Sequence, residues 1–222
     1  MAKLYYNCPG GAFGDCMPFG KDGVFYLYYL KDNRKPQDQK DPFVWDLVTT
    51  PDFVHYTEQG TAIAGSGPND QDQDIISGSV MEGMGQYHAF YTGANLSFPA
   101  KGLPSQVQMH ATSDDLIHWT KDHSLHLPPQ PGYDISDWRD PFVIWDPEEE
   151  QYLMLLGGRK AGPKTQQTGR TVQFASKDLE HWEFRGDFWA PGLYTMHEMP
   201  DVFYMDGWWY HIITEYSHRS KM

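Results

Sequence analysis

The chain has 222 residues, enough to bury a core of its own, and a formal net charge of −13. That balance argues against a polyanionic partner, because nucleic-acid binders need a basic face to displace counterions. No apolar run reaches the roughly 20 residues of a membrane helix, and Cys8 and Cys16, the only cysteines, make neither a disulfide framework nor a cysteine-based zinc site.

The first residues, Met1 to Tyr6, lack the apolar stretch and cleavage site of a signal peptide, so a reduced, cytoplasmic setting is expected. Asn95-Leu96-Ser97 is formally a glycosylation sequon, which carries no weight without a secretion signal. The high aromatic content of 15% suits core packing and also stacking on sugar rings.

In chain order, the segment after Asp15 reads CMPF, a glycine turn and an apolar run from Val24 to Leu30, and TTPDFVHY follows, ending at Tyr56. A second unit has Ser77-Gly78-Ser79-Val80, a glycine-rich turn, YHAFYT from Tyr87, and SDDLIHW ending at Trp119. A third opens at Asp140 with DPFVIWD, passes through an acidic turn to YLMLL from Tyr152, and reaches SKDLEHW ending at Trp182. A fourth starts at Asp201 with DVFYMDG and continues through WWYHIIT from Trp208. The runs are short, rich in Tyr, Phe, Trp, Val and Ile, and bounded by Gly, Asp and Pro, as strands are. No sustained helical period appears.

Tyr56, Trp119 and Trp182 recur at two equal intervals of 63 residues, and His55, His118 and His181 keep the same spacing. A histidine that recurs in every unit serves the unit, so these three read as structural. Short antiparallel strands in a radial repeat predict an all-β fold of the five-bladed β-propeller type. A β-sandwich is the second choice, but it has no reason to repeat a motif at constant spacing. The period is long for a propeller, which fits long loops at Gly65 to Asp74 and Gly157 to Gly169. At about 63 residues per blade the chain makes about three and a half blades. Residues 1–222 are therefore expected to be one propeller catalytic domain, incomplete at its C-terminus, with an open blade edge through which it could self-associate.

First strands line the channel of a propeller, so residues at one phase of the repeat ring its mouth. Asp15, Asp140 and Asp201 share that phase with Ser77-Gly78-Ser79, and Glu198 lies just ahead of Asp201. Crowded carboxylates in a partly dry funnel raise at least one pKa, as glycoside hydrolysis by a carboxyl pair requires. Asp201 is read as structural. His197-Glu198 lacks the second histidine of a zinc helix, and the acidic stretch Asn69 to Asp74 reads as a solvated loop rather than a calcium site. Trp45, Trp138 and Trp189 are candidates either for stacking on a sugar or for the core.

WRDPFVIWD (Trp138 to Asp146) and HEMPDVF (His197 to Phe203) resemble the RDP and EC-P-D motifs of glycoside hydrolase family 32, the β-fructosidases. SGSV at Ser77 and GDCMPF around Asp15 resemble that family's Ser-Gly-Ser segment and first-blade aspartate. The resemblance covers essentially the whole chain in the family's order. It implies a retaining hydrolase of β-fructofuranosidic bonds in sucrose or fructan-type substrates, working by double displacement. Asp15 would be the nucleophile, Glu198 the acid/base and Asp140 the transition-state stabiliser that binds the fructosyl hydroxyls, with Arg139 orienting neighbouring acids. Together with the tryptophan candidates, the expected substrate-binding residues are Arg139, Ser77, Ser79, Trp45 and Trp138. The expected partner is a carbohydrate substrate, with no cofactor and no metal. Retention expects the Asp15 and Glu198 carboxyls roughly 5 to 5.5 Å apart, whereas an inverting arabinanase-like or xylosidase-like propeller expects roughly 6.5 to 9.5 Å. A non-catalytic carbohydrate-binding remnant is the reading from another class. Two departures stand out: Gly14-Asp15-Cys16-Met17-Pro18 replaces the usual Asn-Asp-Pro-Asn-Gly, and Met199 replaces the cysteine of the EC motif.

Overall fold

The computed structural model describes residues 6–32 and 41–217. Residues 1–5, which carry most of the signal-peptide reading, and the end of the chain at Met222 lie outside the described residues. Among the described residues no helix is long and apolar enough to cross a membrane.

The chain is all-β, as its alternating short runs predict. The first sheet holds β1 (Ala12–Lys21), β2 (Val24–Asp32), β3 (Val44–Thr50) and β4 (Thr57–Ile63) in sequential order. The second repeats the pattern with β5 (Asp74–Gly83), β6 (Gln86–Ala94), β7 (Gln106–Ser113) and β8 (Thr120–Leu127). The third has β9 (Tyr133–Asp146), β10 (Gln151–Lys160), β11 (Gly169–Ser176) and β12 (Glu183–Trp189). A fourth pairs β13 (Met196–Met205) with β14 (Trp208–Tyr216). All the pairings are antiparallel, and the four first strands touch in succession, β1 on β5, β5 on β9 and β9 on β13.

Both faces of the second sheet are buried. On β6 the side chains alternate, so Ala89 and Tyr91 join Tyr28, Trp45 and Leu47 of the first sheet. Phe90, pointing the other way, joins Trp138, Met154, Leu156 and Phe174 of the third. Stacked sheets sharing alternate faces are what a radial repeat needs to bury its core.

The recurring histidine motif is the turn after each third strand. Its Thr50, Ser113 or Ser176 oxygen accepts the N–H of Phe53, Leu116 or Leu179, at 2.8 to 2.9 Å. Asp52, Asp115 and Asp178 then bind His55, His118 and His181 at 2.7, 2.7 and 2.8 Å. Leu116 and Leu179 carry φ of 66° and plug the core between neighbouring sheets, while Phe53 of the weaker copy is exposed. The exposed, hydrogen-bonded imidazoles belong to the turn, as their recurrence suggested.

Three expectations are corrected. Asp72, in the stretch read as a solvated loop, is buried and holds Lys121, Ser66 and Tyr91, because its loop is pinned under the second sheet. The expected loop from Gly157 to Gly169 is shorter, since β10 continues through Gly157, Gly158 and Arg159 to Lys160 paired with β9 and β11. The carboxylates do not open their strands either. β1, β9 and β13 start at Ala12, Tyr133 and Met196, upstream of Asp15, Asp140 and Glu198. A β-bulge lets two consecutive residues go unpaired without ending the strand.

Candidate active site

Each of the four first strands has a register shift at the same phase of the repeat. On β1 it falls between Phe13 and Cys16, and on β5 between Ile76 and Gly78. On β9 it lies between Arg139 and Phe142, and on β13 between Glu198 and Asp201. The displaced residues are Gly14 and Asp15, Ser77, Asp140 and Pro141, and Met199 and Pro200. Bulges re-aim side chains next to active sites. Here they turn Asp15, Ser77, Asp140 and the Glu198 segment out of the pleat at neighbouring positions. Asp140 and Met199 have φ of 65° and 47°, a left-handed conformation that few residues with side chains adopt.

The site is tied together across sheets. Ser77 Oγ donates to Asp15 Oδ2 at 2.8 Å, while Asp15 itself is exposed. Thr92 Oγ accepts the Asp140 N–H at 2.9 Å, and Asp140 Oδ2 accepts the Met199 N–H at 3.0 Å. Arg139 donates from Nη2 and Nε to Glu198 Oε1 at 2.5 and 3.2 Å, and its Nε lies 4.0 Å from Asp140 Oδ2. Asp140 is buried, and burial pushes its carboxyl up to about 6. Arg139 and the Met199 N–H oppose that shift, while the Glu198 and Asp15 charges add to it. Crowding of like charges thus contributes less than burial.

Beside Asp140 lies a cavity of about 350 Å³, lined among others by Cys16, Ser79, Phe142, Met199 and Asp201. Burial raises both the Cys16 thiol, to about 11, and the Asp201 carboxyl. Behind Arg139 is a second charge cluster. Asp137 meets Arg139 Nη1 at 3.3 Å, Arg159 Nε at 2.6 Å and Lys164 Nζ at 3.1 Å, and Gln106 Oε1 accepts from Arg139 at 3.4 Å.

The structure brings Asp15, Asp140, Glu198, Arg139, Ser77 and Ser79 to one region. It corrects three of the proposed contacts. Trp45 and Trp138 are fully buried, with indole N–H groups donating to the Ile76 and Leu127 carbonyls, and offer no face to a sugar. Ser77 is also fully buried, its hydroxyl committed to Asp15; Ser79, whose Oγ accepts the Val143 N–H at 3.1 Å, stays in the lining of the cavity. Trp189 is partly exposed and lies against His197 and His211. Among the described residues Asp178, Glu180 and His181 could bring three ligand atoms within 4.8 Å, but they form the exposed turn already described.

Asp137, Arg159, Lys164, Gln106 and Thr92 were not anticipated. Asp137 had a signal, because residues two apart on a strand share a face and Asp137 stands two before Arg139. Arg159 and Lys164 had none, for their partners lie more than twenty residues away in sequence.

The profile of the glycosyl hydrolases family 32 N-terminal domain matches residues 16–220. The chain is similar to a levanbiose-producing levanase of Bacillus subtilis, 28% identical over 193 residues, covering 85% of this chain and 34% of that protein. It is also similar to a sucrose-6-phosphate hydrolase of Zymomonas mobilis, 31% identical over 163 residues, covering 73% and 31%. The solved sucrose-6-phosphate hydrolase from Lactobacillus gasseri superposes with a TM-score of 0.73 at 25% identity, covering 91% of this chain and 40% of that one. A Bombyx mori β-fructofuranosidase shares the fold with a TM-score of 0.74 at 21% identity, covering 98% and 44%. The chain spans about a third of the length of these curated relatives. With its motifs in the family's order and the profile matched over nearly its whole length, the chain belongs to glycosyl hydrolases family 32.

Proposed function

We propose that this chain carries the catalytic carboxylates of a retaining β-fructofuranosidase acting on sucrose or fructan-type substrates. The observation that carries the reading is the convergence of Asp15 and Asp140, set in bulges of β1 and β9, with Glu198 at the edge of the equivalent bulge of β13. Relatives named invertase, levanase and sucrose-6-phosphate hydrolase support the substrate class.

In this reading the Asp15 carboxylate attacks the anomeric carbon of the fructosyl unit. The glycosidic C–O bond breaks and Glu198 gives its proton to the departing oxygen. A fructosyl ester on Asp15 results. Glu198, now ionised, takes a proton from water; the water oxygen bonds to the anomeric carbon, and fructose leaves with Asp15 restored. Ser77 holds the nucleophile and Arg139 holds the acid/base. Asp140, fixed by the Met199 and Thr92 bonds, is placed to bind fructosyl hydroxyls.

The test is fructose release from sucrose, inulin and levan by this chain and by Glu198→Gln, with methanol as a competing acceptor. Expected are release that falls by about 100-fold or more in the variant and a methyl fructoside of retained configuration. An inverted product overturns the double displacement. Release that survives in Glu198→Gln overturns the acid/base assignment, and no release from any fructoside by the wild-type chain overturns the function.

A further inference from the structure

Behind the proposed acid/base lies a charge chain that the hydrolytic mechanism leaves unused. It begins at Arg159 on β10, which is 3% exposed although it is an arginine. Its Nη1 donates to the Lys160 and Gly162 carbonyls, and Nη2 pairs with Asp134. Its Nε donates to Asp137 Oδ2 at 2.6 Å. A guanidinium with every nitrogen engaged is a fixed point in the third sheet.

Asp137, 8% exposed, takes the next place. Burial raises its carboxyl, but Arg159, Lys164 and Arg139 together outweigh burial and hold it below the usual carboxylate range, so it is negative through the neutral range. Its Oδ1 meets Arg139 Nη1 at 3.3 Å. From the other edge of the same guanidinium, Nη2 and Nε donate to Glu198. The charges therefore alternate along a line, Arg159 positive, Asp137 negative, Arg139 positive, Glu198 negative. Lys164, from the segment after β10, adds a third cation on Asp137 at 3.1 Å and is about half exposed, with 45% of its side chain open. From the other elements, Asp140 on β9 lies beside Arg139, Asp15 on β1 adds its charge to that pair, and neutral Gln106 on β7 accepts from Arg139 Nη1 and from the Trp138 N–H.

We propose that Asp137 is a positioning residue for Glu198, and that Lys164 acts through Asp137 to tune how readily Glu198 ionises. Asp137 anchors Arg139 from the rear and shares its charge, so that the guanidinium is oriented without its full field falling on the acid/base. The inference rests on the assignment of Glu198 made above. It differs from an ordinary structural ion pair in sign: removing a negative charge favours ionisation of a neighbouring carboxyl, and removing a positive charge disfavours it. Asp137→Asn and Lys164→Gln must therefore act on Glu198 in opposite directions.

The experiment is a carbon-detected NMR titration of the side-chain carboxyls in the full chain, comparing wild type, Asp137→Asn and Lys164→Gln. The Glu198 midpoint is expected to fall by about half a unit to one unit in Asp137→Asn and to rise by a smaller amount in Lys164→Gln. The alkaline limb of kcat/KM for sucrose should move the same way in each variant. Midpoints unmoved in both, or moved in the same direction, overturn the proposal. Lys164 is exposed enough for its variant to fold, so a folding defect in Asp137→Asn leaves the Lys164→Gln arm decisive. Midpoints that shift as expected in the two variants, while the wild-type chain releases no fructose, would separate the two readings, upholding the charge chain while the hydrolytic function fails.

Discussion

Asp140 and Met199, on different sheets and both in the left-handed region at the centre of a bulge, are joined by a single bond from the Met199 N–H to Asp140 Oδ2 at 3.0 Å. The bond fixes where Asp140 points and where the segment bearing Glu198 begins its turn. It also holds a buried carboxylate against the cost of desolvation, which outweighs that bond and the Arg139 charge and pushes the carboxyl up to about 6.

That cost predicts a trade between stability and activity. Between about 3.8, the ordinary aspartate value, and about 6, the folded protein holds a proton on Asp140 that the unfolded chain has lost. Stability contributed by this group is therefore largest at low pH and falls as pH rises through that window. Asn tolerates a left-handed backbone and still offers an oxygen to Met199. Asp140→Asn should abolish fructose release yet be more stable than wild type at pH 7, by roughly 2 kcal/mol, with the gap closing towards pH 4. Urea unfolding of both proteins across that range checks it.

Ser77 spends its only hydroxyl on Asp15. Removing one hydrogen bond to a charged group costs about 1.5 kcal/mol, or roughly tenfold in rate. Ser77→Ala should lower kcat/KM for sucrose by about that factor, while the thermal melting curve stays nearly in place. Steady-state kinetics beside a melting curve would distinguish this from a general folding defect.

Gly157 lies where β10 and β13 approach. A Cβ there would come within 1.9 Å of the His197 carbonyl oxygen, a backbone atom that cannot turn aside. Gly157→Ala should destabilise the chain by about 3 kcal/mol or more and displace Glu198, the next residue. Gly20→Ala on β1 is the control, because its Cβ would find only ordinary contact with the Phe25 ring. A matched loss of stability in both variants would argue against the close approach.

Much of this architecture was legible before any coordinates. The equal spacing of His55, His118 and His181 revealed a repeated unit, because the turn they build is made by local hydrogen bonds to the carboxylates of Asp52, Asp115 and Asp178 three residues away. The phase of Asp15, Ser77 and Asp140 within that unit located the row of first strands, but Asp201, read at the same phase, is paired just after the bulge, and Met199 and Pro200 take the displaced positions. The bulges were not legible. Asp-Pro and Met-Pro steps look like strand ends, and only the pairing on both sides reveals that β9 and β13 continue through them.

The sequence by itself determined the all-β repeat and the order of the motifs, since each depends on residue type and short-range spacing, while the family resemblance singled out Asp15, Asp140 and Glu198 among the acids near that phase. The tertiary structure alone decided which side chains meet. An indole is equally fit for a sugar or a core, and Trp45 and Trp138 fell to the core because neighbouring sheets close over them. Likewise an arginine in a strand carries no mark of its partners. Arg159, Asp137, Arg139 and Glu198 form a line because β10, β9 and β13 pack side by side. Electrostatic interaction depends on distance in space, to which separation along the chain is a poor guide.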